Sequence, residues 1–286
     1  MDAMIKTFFD ANTSTATHVV SCPRTGAAAV IDSVLDYAPE SGRTRMASAD
    51  LALQYLRDHA LTVQWLLETH AHADHLSGAP YLKERVGGRI AIGRHIRGVQ
   101  GVFKAIFNAS DMHTDGRPFE HLFDDGEHFR IGELEARVLH TPGHTPACVT
   151  YVVGHDAFVG DTLFMPDYGT ARCDFPGGDA RVLYRSIRKV LALPPETRLH
   201  LCHDYPPGGR APRWESSVAE QRAANIHVHD GITEDDFVTM RTARDKTLAL
   251  PTLLLPAIQV NVRAGHLPPP EDNGTRYLKI PINALG

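Results

Sequence analysis

The sequence predicts an α/β protein built from packed layers of strands and helices. Short apolar segments rich in β-branched residues recur along the first 200 residues, and turn residues separate them. Amphipathic patterns with helical spacing lie between several of these segments, and this alternation is typical of α/β layers. The chain has 286 residues, of which 43% are hydrophobic and 22% charged, so it can bury one large core.

The first half of the chain predicts a hairpin, a helix and a strand that leads into a polar cluster. Residues 17–22 and 27–32 flank a Pro-Arg-Thr-Gly turn and predict a β-hairpin, and residues 36–45 predict a polar loop. Ser48 is the predicted N-cap of a helix that runs to Leu61. A strand is then predicted over 63–67, a helix over 76–86 and a strand over 89–92.

The second half predicts a run of strands followed by helices. Residues 98–108 fit either a helix or a lid over a pocket, and residues 113–123 predict a loop. Strands are predicted over 127–131, 133–139, 148–153, 157–159 and 198–202. Helices are predicted over 180–193, 218–226 and 234–250, and the Pro-rich end predicts a tail on the surface.

Charge and cysteine usage exclude several classes of protein. The formal net charge of -5 predicts no nucleic-acid partner, and no apolar run is long enough to cross a membrane. The first residues resemble neither a secretory nor a mitochondrial leader. Four widely spaced cysteines, Cys22, Cys148, Cys173 and Cys202, predict reduced thiols. We therefore expect a cytoplasmic protein.

One short run carries most of the chemical information in the chain. After the predicted strand 63–67, three imidazoles and one carboxylate occupy six positions, at His70, His72, Asp74 and His75. Imidazole and carboxylate groups are the ligands of borderline transition metals. The alternative is a solvated loop in a chain that has 17 histidines, but the density of the cluster favours a metal site.

Three further segments repeat the pattern of a strand followed by a ligand. His144 lies in a His-Thr-Pro-Gly-His-Thr sequence, Asp161 lies in Gly-Asp-Thr, and His203 lies in Cys-His-Asp. Each residue alone fits a turn or a core position. Together with the cluster, they predict four strand ends that present metal ligands at one edge of a sheet.

These four motifs, in this order, resemble the metallo-β-lactamase fold superfamily. The resemblance implies a four-layer αββα sandwich, in which two mixed sheets lie face to face, helices cover them and metals bind at one edge. It also implies a catalytic domain over residues 1–227. Residues 228–286 would then form a helical and Pro-rich C-terminal extension that packs on the same domain.

The resemblance implies two ways of loading the site, and counting ligands leaves both open. In a mononuclear iron site, His70, His144 and Asp161 form a two-histidine, one-carboxylate triad, and the other four residues form the outer shell. In a dinuclear zinc site, Asp161 bridges two ions. One ion is then held by His70, His72 and His144, and the other by Asp74, His75 and His203.

Two further stretches are similar to those of persulfide dioxygenases. They contain Arg172, in Arg-Cys-Asp-Phe, and Tyr205, in His-Asp-Tyr, and the resemblance implies that both residues contact glutathione. The alternatives are a surface ion pair for Arg172 and a core aromatic for Tyr205. Cys173, beside Arg172, is either a thiol that reacts with persulfide sulfur or a small packed side chain.

The activity implied is that of a glutathione persulfide dioxygenase with one Fe(II) per chain. It would use glutathione persulfide and O2, and no catalytic residue is expected beyond the metal centre. The alternative is a glyoxalase II-like thioesterase with two Zn(II) ions that acts on S-lactoylglutathione. A homodimer or a higher homo-oligomer is compatible with the sequence.

Overall fold

The computed structural model describes residues 1–284, and two six-stranded sheets form its centre. The strands of the first sheet follow the order β1-β2-β3-β6-β8-β9, in which β3, β6, β8 and β9 are parallel neighbours. Their bounds are Met4–Asp10 (β1), Thr15–Ser21 (β2), Ala27–Ile31 (β3), Thr62–Leu67 (β6), Arg89–Gly93 (β8) and His121–Phe123 (β9).

The second sheet keeps the order of its strands along the chain, from β10 to β15. Its strands are His128–Ile131 (β10), Leu134–His140 (β11), Val149–Val153 (β12), Asp156–Phe158 (β13), Arg198–His200 (β14) and Glu215–Ser217 (β15). A small third sheet joins Val34–Ala38 (β4) to Arg43–Arg45 (β5) and Leu76–Ser77 (β7).

Helices cover the outer faces of both sheets. They are Ala47–Asp58 (α1), Ala79–Val86 (α2), Ile96–Ile106 (α3), Ala180–Val190 (α4), Val218–Ala224 (α5), Glu234–Asp245 (α6) and Leu254–Asn261 (α7). The buried faces of α1, α2 and α3 pack against the first sheet. Those of α4, α5 and α6 pack against the second.

Alternation along the strands explains the four layers, because successive side chains of a strand point to opposite faces. In β3, Val30 packs beneath the helices while Ala29 and Ile31 face the second sheet. The second sheet packs its own apolar face against them, and this face includes Phe129 and Tyr151. The predicted αββα sandwich is therefore confirmed.

Several predicted boundaries are wrong because pairing with distant segments overrides the local pattern. Residues 36–45 are mostly strand, since β4 pairs with both β5 and β7. The same pairing delays the start of α2 to Ala79. Ser48 is not an N-cap, because α1 begins one residue earlier and the Ser48 hydroxyl donates to Asp36. The predicted helix 234–250 ends at Asp245.

The C-terminal extension packs on the rest of the chain. Helix α6 packs beside α4, and α7 packs beside β7. The tail is tied to α7, because the Gln259 side chain exchanges hydrogen bonds of 2.9 and 2.8 Å with the backbone of Lys279. The domain boundary at 227 remains a prediction. The last two residues of the predicted extension, 285 and 286, lie outside the described part of the chain.

Acidification is expected to destabilise the fold through His18. Burial, and then the neighbouring His200, lower the pKa of His18 to about 3. Since the unfolded chain binds this proton near pH 6.5, the stabilisation is complete above that pH and is lost as the pH falls towards 3, by up to about 1.4 kcal/mol per unit. Urea unfolding between pH 7 and pH 5 measures the slope. His18→Gln should flatten it and exposed His128→Gln should not, whereas equal slopes in all three proteins would contradict this assignment.

Candidate metal centre

The seven predicted metal-site residues come together at one edge of the sandwich. The loop after β6 supplies His70, His72, Asp74 and His75, and the turn after β11 supplies His144. Asp161 lies in a single helical turn just after β13, and His203 follows β14. Because β6 is parallel to β3 and β14 is parallel to β13, the carboxyl ends of these strands open on the same edge.

His70, His144 and Asp161 form the first set of donors. The Oδ2 atom of Asp161 lies 3.8 Å from Nε2 of His70 and 3.6 Å from Nε2 of His144. Donors that share one ion at bond lengths of about 2.1 Å must lie within about 4.2 Å of each other, so these three side chains fit a single ion. They match the composition of a two-histidine, one-carboxylate triad.

The second set consists of His72, Asp74, His75 and His203. Asp74 binds its neighbours within this set, with Oδ2 3.1 Å from Nε2 of His203 and Oδ1 3.4 Å from Nδ1 of His75. Asp161 connects the two sets, because its Oδ1 atom lies 3.4 Å from Nε2 of His203. The edge therefore offers donors for one ion and a carboxylate that could reach a second.

Unpaired buried atoms indicate that the site fits a metal ion. Nε2 of His70, Nδ1 of His72, Nε2 of His75 and Oδ1 of Asp161 are buried and have no hydrogen-bond partner. A buried polar atom without a partner costs about 1–3 kcal/mol, so four of them in one cluster are unusual unless a ligand satisfies them. The donor set of imidazoles and carboxylates is the one that iron and zinc prefer.

Neighbouring oxygens orient the imidazoles towards the centre. Nδ1 of His144 lies 2.8 Å from the carbonyl oxygen of Arg172, and Nδ1 of His203 lies 3.2 Å from that of Ser14. Each Nδ1–H can donate to its carbonyl, which leaves the Nε2 lone pair free for a metal. Burial and the surrounding imidazoles hold the pKa of His70 well below its ordinary value, so this ring is neutral, as a ligand must be.

His72 differs from the other imidazoles in its surroundings. Its Nε2 atom lies 2.9 Å from Oδ1 of Asp32 and 3.3 Å from Oε2 of Glu68. Burial alone would lower the pKa of His72, but these two carboxylates outweigh burial and hold it well above its ordinary value. Its Nδ1 atom has no partner, and its ring lies 4.1 Å from that of His70, so His72 could bind a metal through Nδ1.

Sequence reasoning missed Asp32, which organises the metal-binding loop. Asp32 accepts hydrogen bonds from the backbone N–H and the hydroxyl of Thr69, both at 2.8 Å, as well as from His72. Its position directly after β3, the strand next to β6, was a usable signal, because it is a carboxylate at the same sheet edge. Glu68 was also missed, although it directly follows β6 and gave the same signal.

Asn261 was missed too, because it is nearly 190 residues from the loop that it holds. This buried side chain donates to the carbonyl oxygens of His72 and His75 at 2.8 and 2.7 Å, and it accepts from the N–H of Ser77 at 2.8 Å. The last helix therefore clamps the metal-binding loop. The sequence offers no local pattern that pairs these segments.

Removing this clamp should loosen the loop. We expect Asn261→Ala to lower the free energy of unfolding by about 2–3 kcal/mol, because three buried backbone groups lose their partner. Metal affinity should fall about tenfold, since the ligands lose their support. Urea unfolding and chelator competition measure the two effects, and Asn273→Ala in the exposed tail is the control. Unchanged metal retention in Asn261→Ala would show that the loop holds its shape alone.

A cavity of about 540 Å³ opens onto the metal edge, a size that suits a small ligand. His144, Asp161, Asp74, Arg172 and Tyr205 all line it, so both predicted substrate residues lie at the expected place. The Tyr205 hydroxyl is 3.4 Å from Oδ2 of Asp74, and burial raises the pKa of this phenol well above its ordinary value. The glutathione contacts themselves remain predictions.

Arg172 is less available than the sequence suggests. Its guanidinium already pairs with both carboxylate oxygens of Asp174, at 2.5 and 2.7 Å, and donates to the carbonyl of Ala249 at 2.6 Å. Arg172 therefore lines the cavity, as a substrate contact would, and it also forms the ion pair that was the alternative interpretation. A substrate carboxylate would have to displace Asp174 to pair with it bidentately.

Two open alternatives are resolved by packing. Cys173 is buried in the apolar cluster beneath α4, and burial raises the pKa of its thiol, so it is a packed side chain rather than a reactive one. Residues 96–106 form a helix, and Phe103 and Phe107 lie stacked in the core, 3% and 2% exposed. They contribute to the core rather than to an exposed flap.

A family model described as the metallo-beta-lactamase superfamily matches residues 13–203, which is most of the sandwich. The chain belongs to the metallo-β-lactamase superfamily. The resemblance that the motifs carry is thereby confirmed. The superfamily includes proteins with several reactions, so the match identifies the scaffold and leaves the substrate open.

Similar members of the superfamily carry different names. A probable metallo-hydrolase from Burkholderia pseudomallei is 60% identical, over 98% of this chain and 99% of that protein. Glyoxylase B2 from Dictyostelium discoideum is 50% identical, over 99% and 98%. The human mitochondrial persulfide dioxygenase ETHE1 is 27% identical, over 92% and 89%.

Among solved structures, the crystal structure of ETHE1 from Myxococcus xanthus is similar, with a TM-score of 0.74 and 28% identity. It covers 92% of this chain and 100% of that one. The relatives of higher identity carry the names of a metallo-hydrolase and a glyoxylase, and the persulfide dioxygenases are more distant. Within residues 1–284 of this superfamily member, no helix is long and apolar enough to cross a membrane.

Proposed function

We propose that the chain is a metal-dependent enzyme that oxidises glutathione persulfide with O2 at a single Fe(II) ion. The observation that supports this proposal is the triad of His70, His144 and Asp161, whose two imidazoles and one carboxylate are the set typical of Fe(II) sites that react with O2. A dinuclear zinc site of this fold needs His72 as the third imidazole of the first ion. In the mononuclear scheme His72 would instead support the loop, because its Nε2 atom lies 2.9 Å from Oδ1 of the buried Asp32.

In this proposal His70, His144 and Asp161 would hold the ion, and two of them, His144 and Asp161, line the cavity. Bound Fe(II) would supply the chemistry that joins O2 to sulfur. The protein contributes position, since Asp161 and His144 line the cavity floor while Tyr205 lies beside Asp74. A persulfide anchored in the cavity is thus held against the metal edge, and positioning of this kind can lower a barrier by several kcal/mol.

The surroundings of the triad also exclude water. His70 is 1% exposed, and apolar side chains such as Phe164 and Phe175 line the cavity beside it. Low polarity strengthens the interaction between a bound anion and the metal edge. One carboxylate and two neutral imidazoles leave a ferrous site with one net positive charge, which suits a persulfide anion.

A dinuclear zinc thioesterase that acts on S-lactoylglutathione is the second candidate. Asp161 favours it, because its two oxygens face the two sets of donors, as a bridging carboxylate would. The names of the relatives at 50–60% identity favour it as well. In that enzyme, zinc would activate water for attack on a thioester carbonyl.

Two measurements on the same preparation test the proposal. Protein purified without added metal is analysed for iron and zinc, and the iron-loaded form is assayed for O2 uptake with glutathione persulfide. About one iron per chain together with O2 uptake is the expected result. Two zinc ions per chain with hydrolysis of S-lactoylglutathione, and no O2 uptake after loading with iron, would overturn it in favour of the thioesterase.

A further inference from the structure

Three guanidinium groups line the cavity, and two of them are neutralised. They belong to Arg172, Arg241 and Arg244. Arg172 is paired with Asp174, and Nε of Arg241 lies 2.8 Å from Oδ1 of Asp245 in a buried pair. No carboxylate in residues 1–284 lies within ion-pair distance of Arg244, although its side chain is exposed at the cavity rim.

An aromatic wall connects Arg244 to the metal edge. The guanidinium carbon of Arg244 is 6.0 Å from the ring centre of Tyr168, and the ring of Tyr168 is 5.1 Å from that of Tyr205. The hydroxyl of Tyr205 then reaches Asp74. A molecule with its reacting end at the metal edge could lie along two rings before it reached this guanidinium.

The other charged side chains that line the cavity are compensated. The acidic lining residues Asp74 and Asp161 both belong to the donor sets, where imidazoles and a metal would compensate them. Leu248, Pro251 and Leu253 add apolar surface to the cavity wall. A guanidinium without a carboxylate partner attracts an anion, and it matches the two oxygens of a carboxylate.

We propose that Arg244 binds a carboxylate of the substrate, remote from the sulfur that reacts at the metal edge. The inference takes from the proposed function only the class of substrate, a small thiol derivative. It applies to the iron and to the zinc chemistry alike. It narrows the substrate to thiol derivatives that carry a carboxylate at the far end. It also assigns to α6, in the C-terminal extension, a role in selectivity that Arg172 cannot fill while it pairs with Asp174.

Binding of glutathione, measured by calorimetry on the metal-loaded protein without turnover, tests this inference. Glutathione and its diethyl ester are compared on wild type, Arg244→Gln and Lys246→Gln. Lys246 is the matched control, because it is an exposed cation two residues away that does not line the cavity. We expect Arg244→Gln to weaken glutathione binding about tenfold and Lys246→Gln to change it less than twofold.

The ester isolates the carboxylate contact. Wild type should prefer glutathione to the ester about tenfold, and this preference should disappear in Arg244→Gln. Three results would each overturn the inference. Wild type and Arg244→Gln could bind glutathione equally well, the variant could lose as much affinity for the ester as for glutathione, or wild type could fail to bind glutathione. Failure of O2 uptake would end the dioxygenase proposal, yet it would leave this binding result unaffected.

Discussion

Asp161→Asn is expected to remove the metal and to reduce turnover at least about a thousandfold, which corresponds to about 4 kcal/mol of transition-state stabilisation. Asp161 supplies the only carboxylate of the first donor set, and its oxygens lie 3.6–3.8 Å from the two imidazoles of that set. An amide has the same shape but no charge, so a divalent ion in the variant would bind neutral ligands alone. Metal content and turnover of the purified variant measure the effect.

Asp74→Asn is the matched variant that separates the two metal schemes. Asp74 lies at the same edge, and asparagine could still accept the hydrogen bond that the Tyr205 hydroxyl donates. In the mononuclear scheme this variant keeps about one ion per chain, whereas Asp161→Asn keeps almost none. In the dinuclear scheme Asp74→Asn falls from two ions to about one. Full metal content in Asp161→Asn would contradict both schemes.

Gly143→Ala is expected to have the largest effect on stability. Gly143 has φ +134° in the turn that carries His144, and a Cβ atom there would lie 2.3 Å from Cα of Leu183 in α4. A shift of either the α4 backbone or the turn would cost free energy, because the N–H of Asp179 donates to the carbonyl of Gly143 at 2.9 Å and links the two. Strain and overpacking together should cost about 3 kcal/mol.

Thermal unfolding measures this cost, and the midpoint should fall by about 6 °C or more. Gly98→Ala is the control, because Gly98 lies in α3, is exposed and has open space around its Cα. Alanine favours a helix over glycine by about 1 kcal/mol, so this variant should be slightly more stable than wild type. A similar midpoint for both variants would show that the turn adapts to a side chain.

Gly143→Ala should also loosen the metal site, since the same turn orients His144. Its imidazole is held by the carbonyl of Arg172 on a separate loop, so a displaced turn breaks that contact. Metal retention in the folded fraction of Gly143→Ala reports this effect independently of stability. We expect weaker retention than in Gly98→Ala.

Local patterns predicted much of this protein correctly. The hairpin of β2 and β3, the strand β6 and the strands β10 to β12 agree with the alternation of apolar residues, because each strand buries its own side chains. The order of the histidine and aspartate motifs also led to the sandwich and to its metal edge. These features depend on residues that are close together in the sequence.

Features that depend on distant contacts could not be predicted. Residues 36–45 look polar and turn-rich, and their own pairing as a hairpin of 36–38 with 43–45 depends on β7, which pairs with the start of the same strand, residues 34 and 35, from about 40 residues away. Arg172 resembles a substrate contact by its motif, but the carbonyl of Ala249, 77 residues away, accepts from its guanidinium in the fold.

What the amino-acid sequence determined by itself is therefore the family, the layered fold and the set of metal ligands, since residue type and short-range spacing are sufficient for them. The tertiary structure decided how those ligands are grouped, which guanidinium faces the cavity without a partner, and that Asn261 holds the metal-binding loop. These properties arise from packing between segments up to 190 residues apart, and no local pattern encodes such distances.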